Sequence, residues 1–156
     1  MKKITVKKGQ VLQKKGDLNT KIFQVESGLL RSYLIDKKGK EHIYQFAPEK
    51  HIIADTTPND EPCVLFIDCL EDSLIIQIEK DFNSLSKTPL KLAKRLRVLQ
   101  KRIVMLMSSA AIERYEHFIA TYPSIIQRVP QRMIASYLGI TPEALSRVRK
   151  EIFLRK

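Results

Sequence analysis

The sequence predicts an α+β chain: an N-terminal β-roll of jelly-roll or double-stranded β-helix type, one long helix, and a C-terminal helix-turn-helix. Three observations predict it. Up to about residue 80, short β-branched and aromatic runs alternate with glycines. From Pro89 the apolar residues switch to helical spacing. Between Gln131 and Lys150, two amphipathic segments flank a turn of definite chemistry.

In the first part, Ile22-Phe-Gln-Val-Glu and Leu29-Leu-Arg-Ser-Tyr-Leu-Ile read as strands, with Val64-Leu-Phe-Ile and Ser73-Leu-Ile-Ile-Gln-Ile as two more. Gly9, Gly16, Gly28 and Gly39 fall between such runs, where turns need φ > 0. Asp36-Lys-Lys-Gly-Lys joins two alternating segments and predicts a hairpin. Strands at this spacing suit a roll spanning residues 1–82.

Leu92, Leu96, Leu99, Ile103, Leu106 and Ala110 follow one another at intervals of 4, 3, 4, 3 and 4 residues. That is an a/d seam. A helix packed on its own domain is the alternative. Because Lys91, Lys94, Arg95, Arg97, Lys101 and Arg102 surround the seam, residues 83–109 are read as a dimerisation helix. A second helix is expected from about Ala110 to Ala120, stopping before Tyr122-Pro123. It opens a DNA-binding domain over residues 110–156.

Hydrophobic residues make up 44% of 156, enough for a core. No apolar run approaches membrane-spanning length, and no apolar stretch follows Met1-Lys-Lys as in a signal peptide. A cytoplasmic protein without a membrane partner is expected. The net charge of +11 is uneven. Residues 51–79 hold 7 acids and no Lys or Arg, whereas residues 80–156 hold 16 basic and 5 acidic residues. A basic C-terminal half favours a polyanion partner. Cys63 and Cys69 read as small half-buried residues on a strand, and the dispersed His42, His51 and His117 as surface or satisfied histidines. No metal and no cofactor is expected. An enzyme finds no support: there is no G-x-S-x-G, P-loop or H-E-x-x-H. Asp55, Asp60 and Asp68 could line a cleft, but nothing places a nucleophile beside them.

The most informative stretch is Gln131-Arg-Met-Ile-Ala-Ser-Tyr-Leu-Gly-Ile-Thr-Pro-Glu-Ala-Leu-Ser-Arg-Val-Arg-Lys. Ile134, Leu138, Leu145 and Val148 supply a shared core, and small Ala135 lets two helices approach. Gly139 ends the first helix in a left-handed residue and Ile140 plugs the corner. Thr141 caps the second helix and Pro142 fits its first turn. A plain helical hairpin would want the same core and turn, but not Ser146, Arg147, Arg149 and Lys150. On DNA, Arg147 can donate twice to guanine and Glu143 can accept from cytosine. Thr141, Arg149 and Lys150 suit phosphates, which position without specifying.

Over nearly its whole length the chain resembles the Crp/Fnr regulators. Gly9-Gln-Val-Leu, Lys15-Gly-Asp, Phe23-Gln-Val-Glu-Ser-Gly-Leu-Leu-Arg and Gly39-Lys-Glu carry the resemblance in the roll; Ile134 to Arg147 is its most specific stretch. It implies a cyclic-nucleotide-binding-like roll, a long dimer helix and a helix-turn-helix whose Glu143, Ser146 and Arg147 read a half-site. Where some members have a further base-reading Arg, this chain has Pro142. The family's nucleotide site has a Gly-Glu pair, whose Glu holds the ribose, and a later Arg that neutralises the cyclic phosphate. Here the stretch reads Ile53-Ala-Asp-Thr-Thr, so only Asp55 can stand for the Glu, and the 7 acids of residues 51–79 would repel a phosphate. The roll is therefore expected not to bind cyclic AMP. The clustered N-terminal cysteines of iron–sulfur members are absent. With the roll beginning almost at Met1 and 9 residues after Arg147, neither the usual leading helix nor a wing hairpin is expected.

The expected function is a sequence-specific, DNA-binding transcription regulator, a homodimer on an inverted repeat of double-stranded DNA. RNA polymerase is a possible further partner, and the effector is left open. The alternative is a ligand-sensing or protein-interaction module with a vestigial DNA-binding helix.

Overall fold

The alternating segments pair into two four-stranded antiparallel sheets. The computed structural model describes residues 1–81 and 89–155, without the side chains of Pro89, Lys91, Leu92 and Arg95. One sheet runs in the order β1(Lys2–Val6), β8(Ser73–Ile78), β3(Ile22–Ser27), β6(Ile52–Ile53). The other runs β2(Val11–Gln13), β7(Phe66–Cys69), β4(Leu30–Ile35), β5(Glu41–Ala47). Period-2 alternation turns Phe23, Val25, Leu30, Ile67 and Ile75 inward, where they meet Val6, Ala47, Ile53 and Cys69 in one buried cluster. Each fully buried aliphatic or aromatic side chain there contributes about 1.5–3 kcal/mol.

Two turns set the register. The β4–β5 hairpin closes as expected on Asp36, whose carboxylate accepts from the Lys38 and Lys40 amides at 2.8 and 3.0 Å. At the β3–β4 corner, Gly28 has φ +95°, and a Cβ would lie 2.7 Å from the Asp72 carbonyl oxygen and 2.2 Å from Ser73 Oγ. Only glycine fits there.

β7 begins at Phe66, two residues later than the apolar run Val64-Leu-Phe-Ile predicts. Val64 and Leu65 spend their amides on the Asp55 carboxylate instead of a ladder. Cys63 and Cys69 are both buried and form no disulfide; Cys63 lies in the loop before β7, not on a strand.

A charge is buried on the second sheet. Arg31 donates to both Asp68 oxygens at 2.8 and 3.0 Å and to Glu41 at 2.6 Å. The guanidinium lies 4.2 Å from the Tyr33 ring centroid, and Tyr33 stacks on Phe66. Asp55 and Asp68 are 2% and 7% exposed, so they do not line the open cleft the sequence allowed.

The second part of the chain is helical: α1(Pro89–Ser108), α2(Ala111–Thr121), α3(Gln131–Leu138) and α4(Pro142–Leu154). None of the described helices is long and apolar enough to cross a membrane. Contacts group the chain into two compact units, Met1–Phe82 and Asn83–Lys156.

Removing one partner of a buried bidentate ion pair leaves an uncompensated charge. Asp68→Ala is expected to cost the roll about 3–5 kcal/mol in urea unfolding followed by circular dichroism. A loss below about 1 kcal/mol would mean that Glu41 alone satisfies Arg31.

Candidate nucleic-acid interface

α3 and α4 form a helix-turn-helix, and each turn residue has a local reason. Gly139 adopts φ 64°, ψ 33° and bonds back to Ala135 and Ser136 carbonyls, ending α3 in the left-handed conformation. Half-buried Ile140 donates its amide to the Ala135 carbonyl at 3.1 Å. Thr141 is extended, and its Oγ1 accepts the Ala144 amide at 3.2 Å. Pro142 follows as the first helical residue, where its missing N–H costs nothing. Ile134, Ala135, Leu138, Leu145 and Val148 are all buried between the helices.

That burial fixes which face of α4 is free. At about 100° per residue, Glu143, Ser146, Arg147 and Lys150 share the side opposite Leu145 and Val148. All four are exposed, as are Thr141 and Arg149. Arg149 lies on the flank, turned away from the centre of that face. At the N-terminus of α4, the Glu143 carboxyl is held below its ordinary value. Its own amide is the leading cause, followed by the Thr141 hydroxyl and the Arg147 charge. Glu143 is therefore an anion and pure acceptor at neutral pH, one turn before the Arg147 donor.

α1 and the helix-turn-helix are held together by residues the sequence reading did not single out for this. Arg114 of α2 donates to the carbonyls of Leu106 at 2.8 Å, Ser109 at 2.9 Å and Leu138 at 3.1 Å. Arg102, assigned above to the rim of the seam, instead lies over the Tyr137 ring at 4.1 Å. Tyr137 packs in turn against Phe118 and Tyr122 with centroids 5.5 and 5.8 Å away. The aromatic triplet at 118, 122 and 137 was the available signal.

The proposed seam divides. Leu96 and Ile103 are 58% and 57% exposed, and Met107 joins them at 81%. Leu99 and Leu106 are half-buried, and Met105 is buried. Ala110 lies beyond α1, as the residue before α2. The Leu92 side chain falls outside the described residues.

The sequence profile of the cyclic nucleotide-binding domain matches residues 3–87. The chain belongs to that family. Among curated relatives, it is 28% identical to the anaerobic regulatory protein of Aggregatibacter actinomycetemcomitans and 26% identical to electron transport regulator A of Shewanella oneidensis. Each match covers 94% of this chain, which spans 65% and 67% of those proteins' lengths. The fold matches FixK2 of Bradyrhizobium japonicum at a TM-score of 0.81 and 19% identity, over 99% of this chain and 85% of that one. A CRP/FNR-family transcriptional regulator of Thermus thermophilus gives 0.79 and 15%, over 99% and 87%. The Crp/Fnr resemblance read from the motifs thus holds.

The family's ligand carries a cyclic phosphate, which calls for a cation, and a ribose, which calls for an acceptor. Asp55, expected to stand for the ribose-binding Glu, faces inward and spends its carboxylate on its own loop. Arg31 is committed to Asp68 and Glu41. The buried Lys80 ammonium donates to Thr20 Oγ1 and the Thr57 carbonyl. The remaining span from His51 to Glu79 has no Lys or Arg.

At Gly139 a Cβ would meet Arg114 Nη1 and Leu106 Cδ2 at 3.6 Å, ordinary contact distance. The cost of a side chain there is therefore backbone strain. Gly139→Ala is expected to destabilise the helical unit by about 1–2 kcal/mol in thermal unfolding, and Gly139→Asn by less. Equal losses for both would point to crowding instead.

Proposed function

We propose that the chain is a sequence-specific DNA-binding transcription regulator acting as a homodimer on an inverted repeat. In this reading residues 1–82 form the roll, 83–109 the dimerisation helix and 110–156 the DNA-binding domain. One observation carries it: α4 buries Leu145 and Val148 while presenting Glu143, Ser146, Arg147 and Lys150 together on its outer face. An acceptor one turn from a fork-shaped donor suits base edges in the major groove, whereas a purely phosphate-binding surface has no use for Glu143.

Charge supports the same reading. Residues 1–82 hold 13 basic and 13 acidic residues, so the whole net charge of +11 resides in residues 83–156. The relatives' names, an anaerobic regulatory protein and an electron transport regulator, agree with a regulator rather than an enzyme. A second copy is the natural cover for Leu96, Ile103 and Met107, and twofold symmetry would set two α4 helices about 34 Å apart.

Binding selections on random duplexes test the readout. Arg147→Ala is expected to cost about 1–3 kcal/mol and relax the preference at one G·C pair in each half-site. Lys150→Ala should weaken all sequences alike and lower the salt slope by about one. The same uniform loss from both variants, with no change in preferred sequence, would refute direct readout by α4. No binding to any duplex at low salt would leave a vestigial helix and refute the proposal outright.

The dimer is tested separately. Leu96→Glu with Ile103→Glu alters exposed positions only, so the variant should fold and sediment as a monomer at tens of micromolar, where the unmodified chain sediments as a dimer. A monomeric unmodified chain would contradict the proposal.

A further inference from the structure

The carboxylate of Asp55 is 2% exposed and accepts four hydrogen bonds. One oxygen takes the Thr57 amide at 2.8 Å and its hydroxyl at 2.5 Å. The other takes the Val64 and Leu65 amides at 3.0 and 2.9 Å. Convergent backbone N–H groups of this kind form an anion site. Burial alone would raise the Asp55 carboxyl, but the bonds from Thr57, Leu65 and Val64 outweigh it and hold the group below the usual carboxylate range.

The same loop is fastened from its other side. Lys80 donates to the Thr57 carbonyl at 2.9 Å, and Asn59 Nδ2 reaches the Lys80 carbonyl. Asn19 donates its amide to the Asn59 carbonyl at 2.9 Å. Cys63 exchanges backbone bonds with Asp17 and Gly16.

We infer that Asp55 is a built-in anion: it occupies, with a group of the chain's own, the amide cradle that would otherwise receive an external phosphate or carboxylate, and so closes the 55–65 loop without an effector. Two features converge. The cradle is made of amides from Thr57, Val64 and Leu65, so it takes negative charge from any source. The cation beside the loop, Lys80, is already bonded to Thr20 and the Thr57 carbonyl, and residues 51–79 hold no Lys or Arg. A chain that supplies its own anion at this place gains nothing from an incoming one. The consequence is a 55–65 loop held without a nucleotide and a roll blind to cyclic nucleotides. Removing the carboxylate should convert the cradle into a site for a small anion such as formate.

Amide hydrogen exchange on the full-length chain, read by NMR, tests this without DNA, so its outcome is independent of the proposed function. In the unmodified chain, Thr57, Val64 and Leu65 should exchange at least about tenfold more slowly than open-loop amides with no ligand added, as expected for bonds to a buried charge. Millimolar cyclic AMP should not change them. In Asp55→Ala the three amides should lose that protection while β8 amides keep theirs, and formate should restore it relative to chloride at equal ionic strength. Asp55→Asn, which keeps one acceptor oxygen and turns N–H donors toward the other half of the cradle, should lose protection in that half without rescue. Fast exchange at these amides in the unmodified chain would overturn the inference, and so would slowing by cyclic AMP. Retained protection in Asp55→Ala, or no difference between formate and chloride, would overturn it too. The two arms on the unmodified chain decide the matter even if Asp55→Ala does not fold.

Discussion

The helical unit depends on one guanidinium. The last carbonyls of a helix have no partner within it, and a helix end carries partial negative charge. Arg114 meets both needs for two helices at once, bonding Leu106 near the end of α1 and Leu138 at the end of α3, with Ser109 between them. Arg is suited to this because its planar fork presents several donors in fixed directions. With Arg102 on Tyr137, this cation ties α3 to α1, and through the Gly139 turn it bears on α4. The left-handed turn is compatible with it because the space at Gly139 leaves Arg114 at ordinary contact distance. A helix face held this way would lose less entropy on meeting a partner than one on a loose hinge.

The two units use charge differently. In the roll, cations and anions balance, and its buried ones are consumed within the unit: Arg31 by Asp68 and Glu41, Lys80 by Thr20 and the Thr57 carbonyl. In the helical unit the excess is uncompensated, with 15 Lys/Arg against 4 Asp/Glu in residues 83–156. Paired charges fix a structure, whereas unpaired surface charges raise the local concentration of a polyanion. The roll thus reads as scaffold and the helical unit as the part that meets a partner.

Local chemistry was legible in the sequence. Gly139, Thr141 and Pro142 each perform a task confined to one turn of chain, and the structure has them doing it. Strand alternation and the glycine corners gave the roll for the same reason. What stayed hidden depends on contacts distant in sequence. Periodicity marks the Leu96–Leu106 stripe but not that Leu99 and Leu106 are half-buried while Leu96 and Ile103 stay exposed. Arg102 and Arg114 look like members of a basic face until Tyr137 and the Leu138 carbonyl come to them through the fold. β7 starts late because Asp55, well before it in the chain, captures two of its amides, and no local pattern reports that. The same bonds remove Asp55 from any role toward a bound sugar.

The central claim is that the outer face of α4 is where this chain meets nucleic acid. The most direct test is an NMR titration of the uniformly labelled chain with duplex DNA carrying a selected site. The account predicts the largest amide shifts at residues 141–150, smaller ones at α3, and no change across the sheets of the roll. Shifts concentrated in the roll, with residues 141–150 unmoved at saturating duplex, would contradict it.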